Sequence, residues 1–341
     1  MLGLFKALFY YPLFLTGYIN KLDDSPYKMM DLLIALPLFF IGVLFLYKGS
    51  DMLVDGTSHT AAQLGVSSLI ISVVIVAFGT STPEFAISVG AAIQKHADIS
   101  AGNILGSCIA NLLLVLGLSA VIQPIKIQMK IIRREMPIVT LTTLILLVFS
   151  ISGLLDEYHI IGGILFIILF SLFLIYFVRC AKQERNSLLE SSFEGDSILK
   201  NIIFIILGLI GVILGAWILI KSAIIMAEVF HISPFIISLS MVAVGTSLPE
   251  LVVSTMAAYK KEADIAVGNV LGSNVFNIFL ILGASAIFIP LNMREALDHL
   301  VILMAVTIVA FIVLYTGNII SRLEGLVFLV IYAMFVWYIF L

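Results

Sequence analysis

Two glutamates, Glu84 and Glu250, each lie inside a long apolar stretch, and the sequence around them occurs twice in the chain. Residues 77–124 and 243–290 align without a gap at a constant offset of 166 residues, and 25 of their 48 positions are identical. Ionisable side chains at membrane depth are costly and usually mark an ion or substrate pathway. The duplicated carboxylate therefore predicts one functional site that is assembled from both copies.

The side chains near these glutamates supply oxygen atoms, which are the ligands of hard cations. Hydroxyls lie three and four residues before each glutamate, and the next helix of each copy adds a serine and an asparagine spaced four apart. The set is Thr80, Ser81, Ser107 and Asn111 in the first copy and Thr246, Ser247, Ser273 and Asn277 in the second. Na⁺ and Ca²⁺ are of similar size and share these ligands, whereas Mg²⁺ keeps its water and needs a stricter octahedron. The residues predict a site that holds either one Ca²⁺ or several Na⁺.

Prolines interrupt the helix beside each glutamate. Pro83 and Pro249 lack a backbone N–H and clash with the preceding turn, and Gly79 and Gly245 add permissive backbone at the same place. Backbone carbonyls without partners at membrane depth are tolerated only where they line a cavity or bind a ligand. One such kink alone is as easily structural as functional. Its repetition favours broken helices that contribute to the cation site.

The composition predicts an all-α integral membrane protein. Of 341 residues, 62% are hydrophobic and 11% are charged, with a mean hydropathy of +1.19, which is too apolar for a soluble domain. A net charge of −3 indicates no nucleic-acid partner, and two cysteines and five scattered histidines indicate neither a disulfide framework nor a soft-metal site. Apolar stretches long enough to span a bilayer lie at about residues 32–50, 64–92, 99–123, 135–153, 159–179, 199–221, 232–259, 265–289, 297–316 and 323–341.

These ten transmembrane helices form two groups of five, so the second group must enter the membrane from the opposite side. Residues 1–30 form an N-terminal extension without an assigned role, 31–180 the first repeat, 181–198 a polar linker and 199–341 the second repeat. If the first span starts outside, twelve basic residues are cytoplasmic and three are outside, leaving aside the N-terminal lysines, which is the usual positive-inside bias. We therefore expect two inverted repeats in the cell (inner) membrane with a cytoplasmic linker.

Several other residues of these stretches have structural interpretations. Ser88 and Ser254 are expected to bond back to their own helices. Asp51 and Asp55 end the first predicted span, have no counterpart in the second half and are interpreted as interfacial. The glycine pairs with the spacing of close helix packing are Gly102–Gly106 and Gly268–Gly272.

The repeated motifs resemble those of a known family. GTSTPE with GNILGSCIAN, and GTSLPE with GNVLGSNVFN, are similar to the two alpha repeats of the Ca²⁺/cation antiporter superfamily, and closest to those of prokaryotic sodium/calcium exchangers. The resemblance covers the chain from about residue 30 and implies ten helices in two inverted halves. It also implies that the first and sixth spans, at about 32–50 and 199–221, slide across a core of eight helices to expose the site to each side in turn.

The resemblance further implies a role for each site residue. Glu84 and Glu250 would be the shared Ca²⁺ ligands, and Thr80 and Thr246 would contribute to the Ca²⁺ and Na⁺ sites. The central position would be bordered by Asn111 and Asn277. Flanking Na⁺ sites would use the serine hydroxyls and alanine carbonyls of Ser81, Ser247, Ser107, Ser273, Ala77 and Ala243.

The predicted function is secondary active antiport of Na⁺ for Ca²⁺ by alternating access, carried out by a monomer without a cofactor or enzymatic activity. H⁺/Ca²⁺ exchange is the alternative, because a membrane carboxylate can also carry a proton, although the neighbouring hydroxyls favour a metal counter-ion. K⁺-dependent exchange is disfavoured because, by the resemblance, the K⁺-dependent branch carries an aspartate where Asn277 stands. An intramembrane hydrolase is much less favoured, since the chain has no GxSxG or HExxH motif and no histidine near the repeated motifs.

Overall fold

The described part of the chain is almost entirely helical. The computed structural model describes residues 29–126, 129–187, 197–229, 245–317 and 319–339. These residues include two short strands, β1 (Ile125–Lys126) and β2 (Ile319–Ile320). The helices are α1 (Met29–Leu64), α2 (Ser68–Thr80), α3 (Thr82–Ile93), α4 (Ala97–Ile122), α5 (Met129–Ile151), α6 (His159–Ser187), α7 (Ile198–Val229), α8 (Leu248–Tyr259), α9 (Ala263–Phe288), α10 (Leu297–Gly317) and α11 (Arg322–Ile339).

Among the described residues, eight helices are long and apolar enough to cross a membrane, and the bent pair α2–α3 makes a ninth. The chain is therefore a multi-span membrane protein, as its composition predicts. The predicted span at 232–259 falls only partly within the described residues, where α8 forms its second half. The count of ten spans therefore stays a prediction.

The sequence repeat is also a repeat of backbone structure. Shifted by 166 residues, α3 coincides with α8 and α4 with α9 in both length and position. Ser81 and Ser247 precede α3 and α8 with nearly the same backbone angles, φ −81° and −82°. The turns that follow these helices each place a lysine in the left-handed region, Lys95 at φ 67° and Lys261 at φ 64°. The two motifs therefore fold by the same local rules.

The strand pair relates the two halves of the molecule. β1 and β2 are antiparallel, with Ile125 opposite Ile320 and Lys126 opposite Ile319. The pairing places the end of α4 and the start of α11 at the same end of the molecule. This agrees with the charge pattern, which assigns Lys126 and Arg322 to one side of the membrane.

The first helix is longer than the sequence indicates. The predicted span ended at residue 50, whereas α1 continues to Leu64 and has 36 residues. At 1.5 Å per residue it is about 54 Å long, well beyond the ~30 Å hydrocarbon core of a bilayer. The apolar pattern stops at Asp51, but the helix continues because the acidic residues beyond that point find partners elsewhere in the fold.

The two longest helices, α1 and α7, pack on each other through glycines. A Cβ atom added at Gly49 would lie 2.6 Å from the Val212 backbone nitrogen, and one at Gly208 would lie 2.7 Å from the Leu53 nitrogen. Small residues allow membrane helices to approach to backbone contact, which replaces the hydrophobic driving force that lipid removes. The interface buries Leu46, Leu53, Ile205, Val212 and Ala216 in a cluster separate from the main core.

The glycine contacts predict a sharp positional effect. Gly49→Ala should destabilise the protein by about 1–3 kcal/mol, because the added methyl group forces the two backbones apart. Gly211→Ala on the facing helix is the matched control, since its Cβ would meet its nearest atom at 3.1 Å and the next at 3.6 Å. Thermal unfolding in detergent should show a clearly lower midpoint for Gly49→Ala than for Gly211→Ala. Equal midpoints would contradict the close approach at Gly49.

A polar cluster joins α1 to the turn between α8 and α9. Lys260 Nζ lies 2.6 Å from Asp51 Oδ1 and 2.7 Å from Asp55 Oδ1, and Ser58 Oγ donates a hydrogen bond of 2.8 Å to Glu262 Oε1. The two aspartates interpreted as interfacial thus pair with the second half of the chain. Burial alone would lower the pKa of Lys260, but the hydrogen bonds and charges of the two aspartates outweigh it and raise the pKa above its ordinary value.

This raised pKa has a defined effect on stability. A lysine whose pKa is higher in the folded state stabilises the fold fully below its unfolded value of about 10.4 and loses that contribution as the pH rises through the folded pKa. The pair is partly exposed, so we expect at most about 1 kcal/mol. Wild type should unfold at a higher temperature than Lys260→Gln at pH 8, and the difference should shrink as the pH rises through the raised pKa of Lys260. The Lys261 side chain is exposed, so Lys261→Gln should unfold like wild type at every pH. A similar loss of stability in both variants would contradict the pairing of Lys260 with the two aspartates.

Candidate functional site

The helix break predicted at Pro83 is present. α2 and α3 meet at Ser81 with a bend of 49°. Pro83 is the second residue of α3, where its missing N–H needs no partner within the helix, and Pro249 has the same place in α8. Glu84 and Glu250 therefore lie in the first turns of α3 and α8, near the positive ends of the helix dipoles.

The two site asparagines lie where α4 and α9 widen into π-helical turns. Asn111 begins the turn Asn111–Val115, and Asn277 lies within the turn Phe276–Leu282. Single π-helical turns are rare and occur often at functional sites. Asn277 reaches across the repeats from this turn, and its Nδ2 donates a hydrogen bond of 3.3 Å to Ser107 Oγ.

Every predicted site residue within the described part of the chain is buried. Glu84 and Glu250 have no exposed surface. Ala243 lies outside the described residues. The other buried members of the set are Ala77, Thr80, Ser81, Ser107, Asn111, Thr246, Ser247, Ser273 and Asn277.

Ser107 organises the surroundings of Glu84. Its hydroxyl donates a hydrogen bond of 3.1 Å to Glu84 Oε1 and lies 3.0 Å from Ser247 Oγ. A serine hydroxyl has a single proton. Because that proton goes to Glu84, the Ser247 hydroxyl and the Asn277 amide donate to Ser107. Glu84 of the first copy is thus held through residues of both copies.

Glu250 receives one hydroxyl from each copy directly. Ser81 Oγ donates to Glu250 Oε1 at 2.9 Å, and Ser273 Oγ donates to the same oxygen at 3.4 Å. Charge-assisted hydrogen bonds of this kind are stronger than neutral ones. The four serines predicted to flank the site therefore all belong to the network around the two carboxylates, and Ser247 joins it through Ser107.

Four oxygen atoms of the network are left without a hydrogen-bond partner among the described residues: Glu84 Oε2, Glu250 Oε2, Asn111 Oδ1 and Asn277 Oδ1. Both asparagine amide nitrogens are occupied, since Asn111 Nδ2 donates to Asn274 Oδ1 at 3.1 Å and Asn277 Nδ2 donates to Ser107. A buried polar atom without a partner costs free energy, so each one calls for an explanation. Acceptor oxygens without partners on two carboxylates and two amides are the kind of ligand that a hard cation binds.

The described residues contain no group of three or more histidine, cysteine, aspartate or glutamate side chains that could hold a metal ion. A site that used soft or imidazole ligands would need such a group. The polar groups around the two glutamates are hydroxyl, amide and carboxylate oxygens.

Two further asparagines, which the sequence analysis did not single out, contact the site threonines. Thr80 Oγ1 donates a hydrogen bond of 3.0 Å to Asn269 Oδ1, and Thr246 Oγ1 donates one of 3.5 Å to Asn103 Oδ1. Asn103 and Asn269 occupy matching positions of GNILGS and GNVLGS, so their repetition was a usable signal. Asn274, which holds Asn111, had no such signal because Cys108 stands at its matching position.

Ser88 and Ser254 do not bond as the sequence indicated. Instead of serving their own helices, Ser88 Oγ accepts a hydrogen bond of 2.9 Å from Asn103 Nδ2, and Ser254 Oγ accepts one of 3.0 Å from Asn269 Nδ2. Ser254 Oγ also contacts the Ala266 carbonyl at 3.4 Å. The prediction was wrong because the following helix brings an asparagine within reach of each serine.

One of the two glycine pairs packs closely, as predicted. A Cβ at Gly268 would lie 2.9 Å from Ser72 Cβ, and one at Gly272 would lie 2.7 Å from Ala77 Cβ, so α9 lies directly against α2. For Gly102 and Gly106, no atom of the described residues lies within 4 Å of an added Cβ. The positions that match α2 at the offset of 166 residues lie mostly in 230–244, outside the described residues.

Comparison with known proteins identifies the family of this chain. The family model described as sodium/calcium exchanger protein matches residues 34–179 and 200–341. The chain is 33% identical to the sodium/calcium exchanger MaX1 of Methanosarcina acetivorans, over 87% of this chain and 96% of the relative. It is also 33% identical to the inner membrane protein YrbG of Escherichia coli, over 76% of this chain and 81% of the relative.

Solved structures give the same result. A structure of the sodium/calcium exchanger from Methanococcus jannaschii matches with a TM-score of 0.78 and 32% identity, over 89% of this chain and 97% of that one. Structures of the exchanger NCX_Mj come from crystals soaked with Na⁺ and Ca²⁺, and others from crystals soaked with Na⁺ and Sr²⁺. With the family model covering most of its length, this chain belongs to the sodium/calcium exchanger protein family.

Proposed function

We propose that this protein is a secondary active antiporter that exchanges Na⁺ for Ca²⁺ across the cell membrane. The observation that carries the proposal is the set of four buried, partnerless oxygens on Glu84, Glu250, Asn111 and Asn277. A bound cation would give these acceptor oxygens the partner that they lack. Two formal negative charges balance one Ca²⁺ or a pair of Na⁺, so the two ions compete and the entry of one drives the exit of the other.

The proposal assigns each ion its ligands. Glu84 and Glu250 bind Ca²⁺ at the centre, with Thr80 and Thr246 shared between the Ca²⁺ and Na⁺ positions. The flanking Na⁺ positions use Ser81, Ser247, Ser107, Ser273 and the carbonyls of Ala77 and Ala243, and the central position is bordered by Asn111 and Asn277. The burial of the described members of this set supports the assignment.

We also propose ten spans in two inverted repeats of five, with the start of the first span outside and the linker 181–198 cytoplasmic. The strand pair supports this topology, because it brings Lys126 near Arg322, two residues that the charge bias assigns to the cytoplasm. The inner-membrane name of the YrbG relative supports placement in the cell membrane. A monomer contains both copies of the motif and so is sufficient for the site.

Alternating access is assigned to movement of α1 and α7 relative to the remaining helices. These two helices pack mainly on each other and share a hydrophobic cluster of their own, to which Val76 and Val253 of the site-bearing helices also belong. A separately packed pair that touches the site-bearing helices can shift as a unit without opening the main core. Such a shift would expose the buried carboxylates first to one side and then to the other.

H⁺/Ca²⁺ exchange is the second candidate. The observation that favours it is the presence of a partnerless oxygen on each buried carboxylate, Glu84 Oε2 and Glu250 Oε2, either of which could carry a proton. The serine hydroxyls around the same carboxylates favour Na⁺, since they are ligands that a proton does not need. The amide of Asn277 in place of a third carboxylate argues against K⁺ co-transport.

Transport of radiolabelled Ca²⁺ into proteoliposomes tests the proposal. Vesicles loaded with Na⁺ should accumulate Ca²⁺, and replacing internal Na⁺ with choline under an imposed pH gradient should abolish uptake. If more positive charge enters as Na⁺ than leaves as Ca²⁺, each net charge adds about 2.3 kcal/mol per 100 mV, so a valinomycin-imposed potential should change the rate. Uptake driven by the pH gradient without Na⁺ would replace Na⁺ with H⁺ as the counter-ion.

A further inference from the structure

Two asparagines just outside the proposed ligand set, Asn269 and Asn103, each connect a threonine of one copy to a serine of the other. Asn269 Oδ1 accepts the hydroxyl of Thr80, and its Nδ2 donates to Ser254 Oγ at 3.0 Å and to the Glu250 carbonyl at 3.4 Å. Asn103 repeats the arrangement between Thr246 and Ser88. Both amides are buried and are therefore fixed in orientation by these bonds.

The hydroxyl proton of Thr80 has several competing acceptors, one of which is the Glu250 carboxylate. Asn269 Oδ1 lies at 3.0 Å and the Ala77 carbonyl oxygen at 3.3 Å. The Ala77 carbonyl also accepts the Ser81 N–H at 3.0 Å, which leaves it one free lone pair. A proton that points to Ala77 would occupy this lone pair and would also turn the hydroxyl toward its own helix. A proton that points to Asn269 leaves both oxygens free to face a cation.

The packing of α9 against α2 makes this contact possible. Gly268 and Gly272 flank Asn269 and let α9 approach the backbone of α2, and Ser72 Oγ of α2 donates a hydrogen bond of 2.7 Å to the Ile265 carbonyl of α9. Asn269 therefore projects from a closely packed, bonded interface, so that its carbonyl is held opposite Thr80.

We propose that Asn269 and Asn103 are positioning residues that draw the hydroxyl protons of Thr80 and Thr246 away from the ion site, so that each threonine presents only lone pairs to the cation. This inference rests on the proposed Na⁺/Ca²⁺ exchange. It adds that an uncharged residue controls Na⁺ binding through the orientation of the threonine hydroxyl. This residue need not touch the ion. The shorter contact at Thr80 makes Asn269 the more important of the two.

A double-mutant cycle tests the proposal in proteoliposomes. Asn269→Leu keeps the branched shape of the side chain and removes the amide acceptor and donor, while Thr80→Val removes the hydroxyl that Asn269 orients. Asn269→Leu should raise the Na⁺ concentration for half-maximal Ca²⁺ uptake by about threefold to tenfold, the value of one hydrogen bond. In the Thr80→Val background it should change that concentration less than twofold, because no proton remains to be directed.

A second pairing serves as the control for the cycle. Asn269→Leu combined with Thr246→Val should give additive effects, since that threonine bonds Asn103 instead. The matched cycle of Asn103→Leu with Thr246→Val should show a smaller coupling, in line with its distance of 3.5 Å. A purely structural role for Asn269 would produce the same loss in both threonine backgrounds.

The outcomes separate this inference from the proposed function. Additive effects of Asn269→Leu and Thr80→Val in a protein whose wild type exchanges Na⁺ for Ca²⁺ would overturn the inference alone. A wild type without Na⁺-driven uptake would overturn the exchange itself. If Asn269→Leu does not yield folded protein, Ser254→Ala takes its place, because it deletes the acceptor that orients the Asn269 amide. Its smaller effect on the Na⁺ concentration for half-maximal uptake should likewise vanish in the Thr80→Val background. An effect that persists in that background would overturn the inference.

Discussion

Glu84→Gln and Glu250→Gln are each expected to abolish Na⁺-driven Ca²⁺ uptake. Each change removes one of the two formal charges that face the bound ion and introduces N–H donors where partnerless acceptor oxygens converge. At 4 Å and an effective dielectric constant of 20, one pair of unit charges is worth about 4 kcal/mol. A loss of that size corresponds to roughly a thousandfold weaker binding.

The measurement is uptake of radiolabelled Ca²⁺ into Na⁺-loaded proteoliposomes at matched protein density. Glu157→Gln provides the control, because it makes the same substitution at an exposed glutamate that pairs with Arg294 and lies far along the chain from either motif. It should transport at nearly the wild-type rate. Size-exclusion profiles should stay monodisperse for all three variants, since glutamine keeps the shape of the side chain. Uptake above half the wild-type rate by either site variant would refute the role of that carboxylate.

The sequence was most informative where it repeats itself. The break at Pro83, the start of α8 beside Pro249 and the buried positions of Glu84 and Glu250 follow from local rules: a proline that cannot continue a helix, and a carboxylate that cannot face lipid without a partner. Each rule applied in both copies of the motif at the same offset, so a chance match of the pattern is rare. Helices α3, α4, α8 and α9 accordingly lie where the motifs place them.

Contacts between distant parts of the chain could not be predicted in this way. The end of α1 was misplaced because Asp51 and Asp55 break the apolar pattern, and the partner that lets the helix continue, Lys260, lies about two hundred residues away in the sequence. Ser88 was misassigned for a similar reason, since its bond to Asn103 depends on how α3 and α4 meet. Hydrophobic patterning reports which segments enter the membrane, not which polar side chains face each other there.

The site is also less symmetric than the sequence repeat. Asn274 accepts from Asn111 and donates to the Cys108 carbonyl at 3.3 Å, but the matching position in the first copy is Cys108 itself, which has no side-chain amide. A cysteine side chain is at best a weak hydrogen-bonding group. The first-copy asparagine is therefore oriented by a neighbour on α9, whereas Asn277 is oriented by Ser107 of the site.

This asymmetry predicts that Ser107→Ala impairs exchange far more than Ser273→Ala. Ser107 contacts Glu84, Ser247 and Asn277, so its loss removes one hydroxyl donor from Glu84 and releases two other proposed ligands. Ser273 contributes one contact of 3.4 Å to Glu250, which keeps the hydroxyl of Ser81 at 2.9 Å. A hydrogen bond to a charged group is worth about 1.5–3 kcal/mol, or roughly tenfold or more in affinity.

The ion dependence of uptake measures the difference between the two serine variants. Ser107→Ala should raise the external Ca²⁺ and internal Na⁺ concentrations for half-maximal uptake by roughly tenfold or more, whereas Ser273→Ala should change them by about threefold or less. Both variants lose the same hydroxyl at matching positions of the repeat, so each controls for the volume and polarity change in the other. Equal shifts would mean that the two halves are equivalent during transport. The three contacts of Ser107 would then belong to one resting conformation only. A larger shift for Ser273→Ala would contradict the assignment of Ser107 as the residue that ties the two copies together around Glu84.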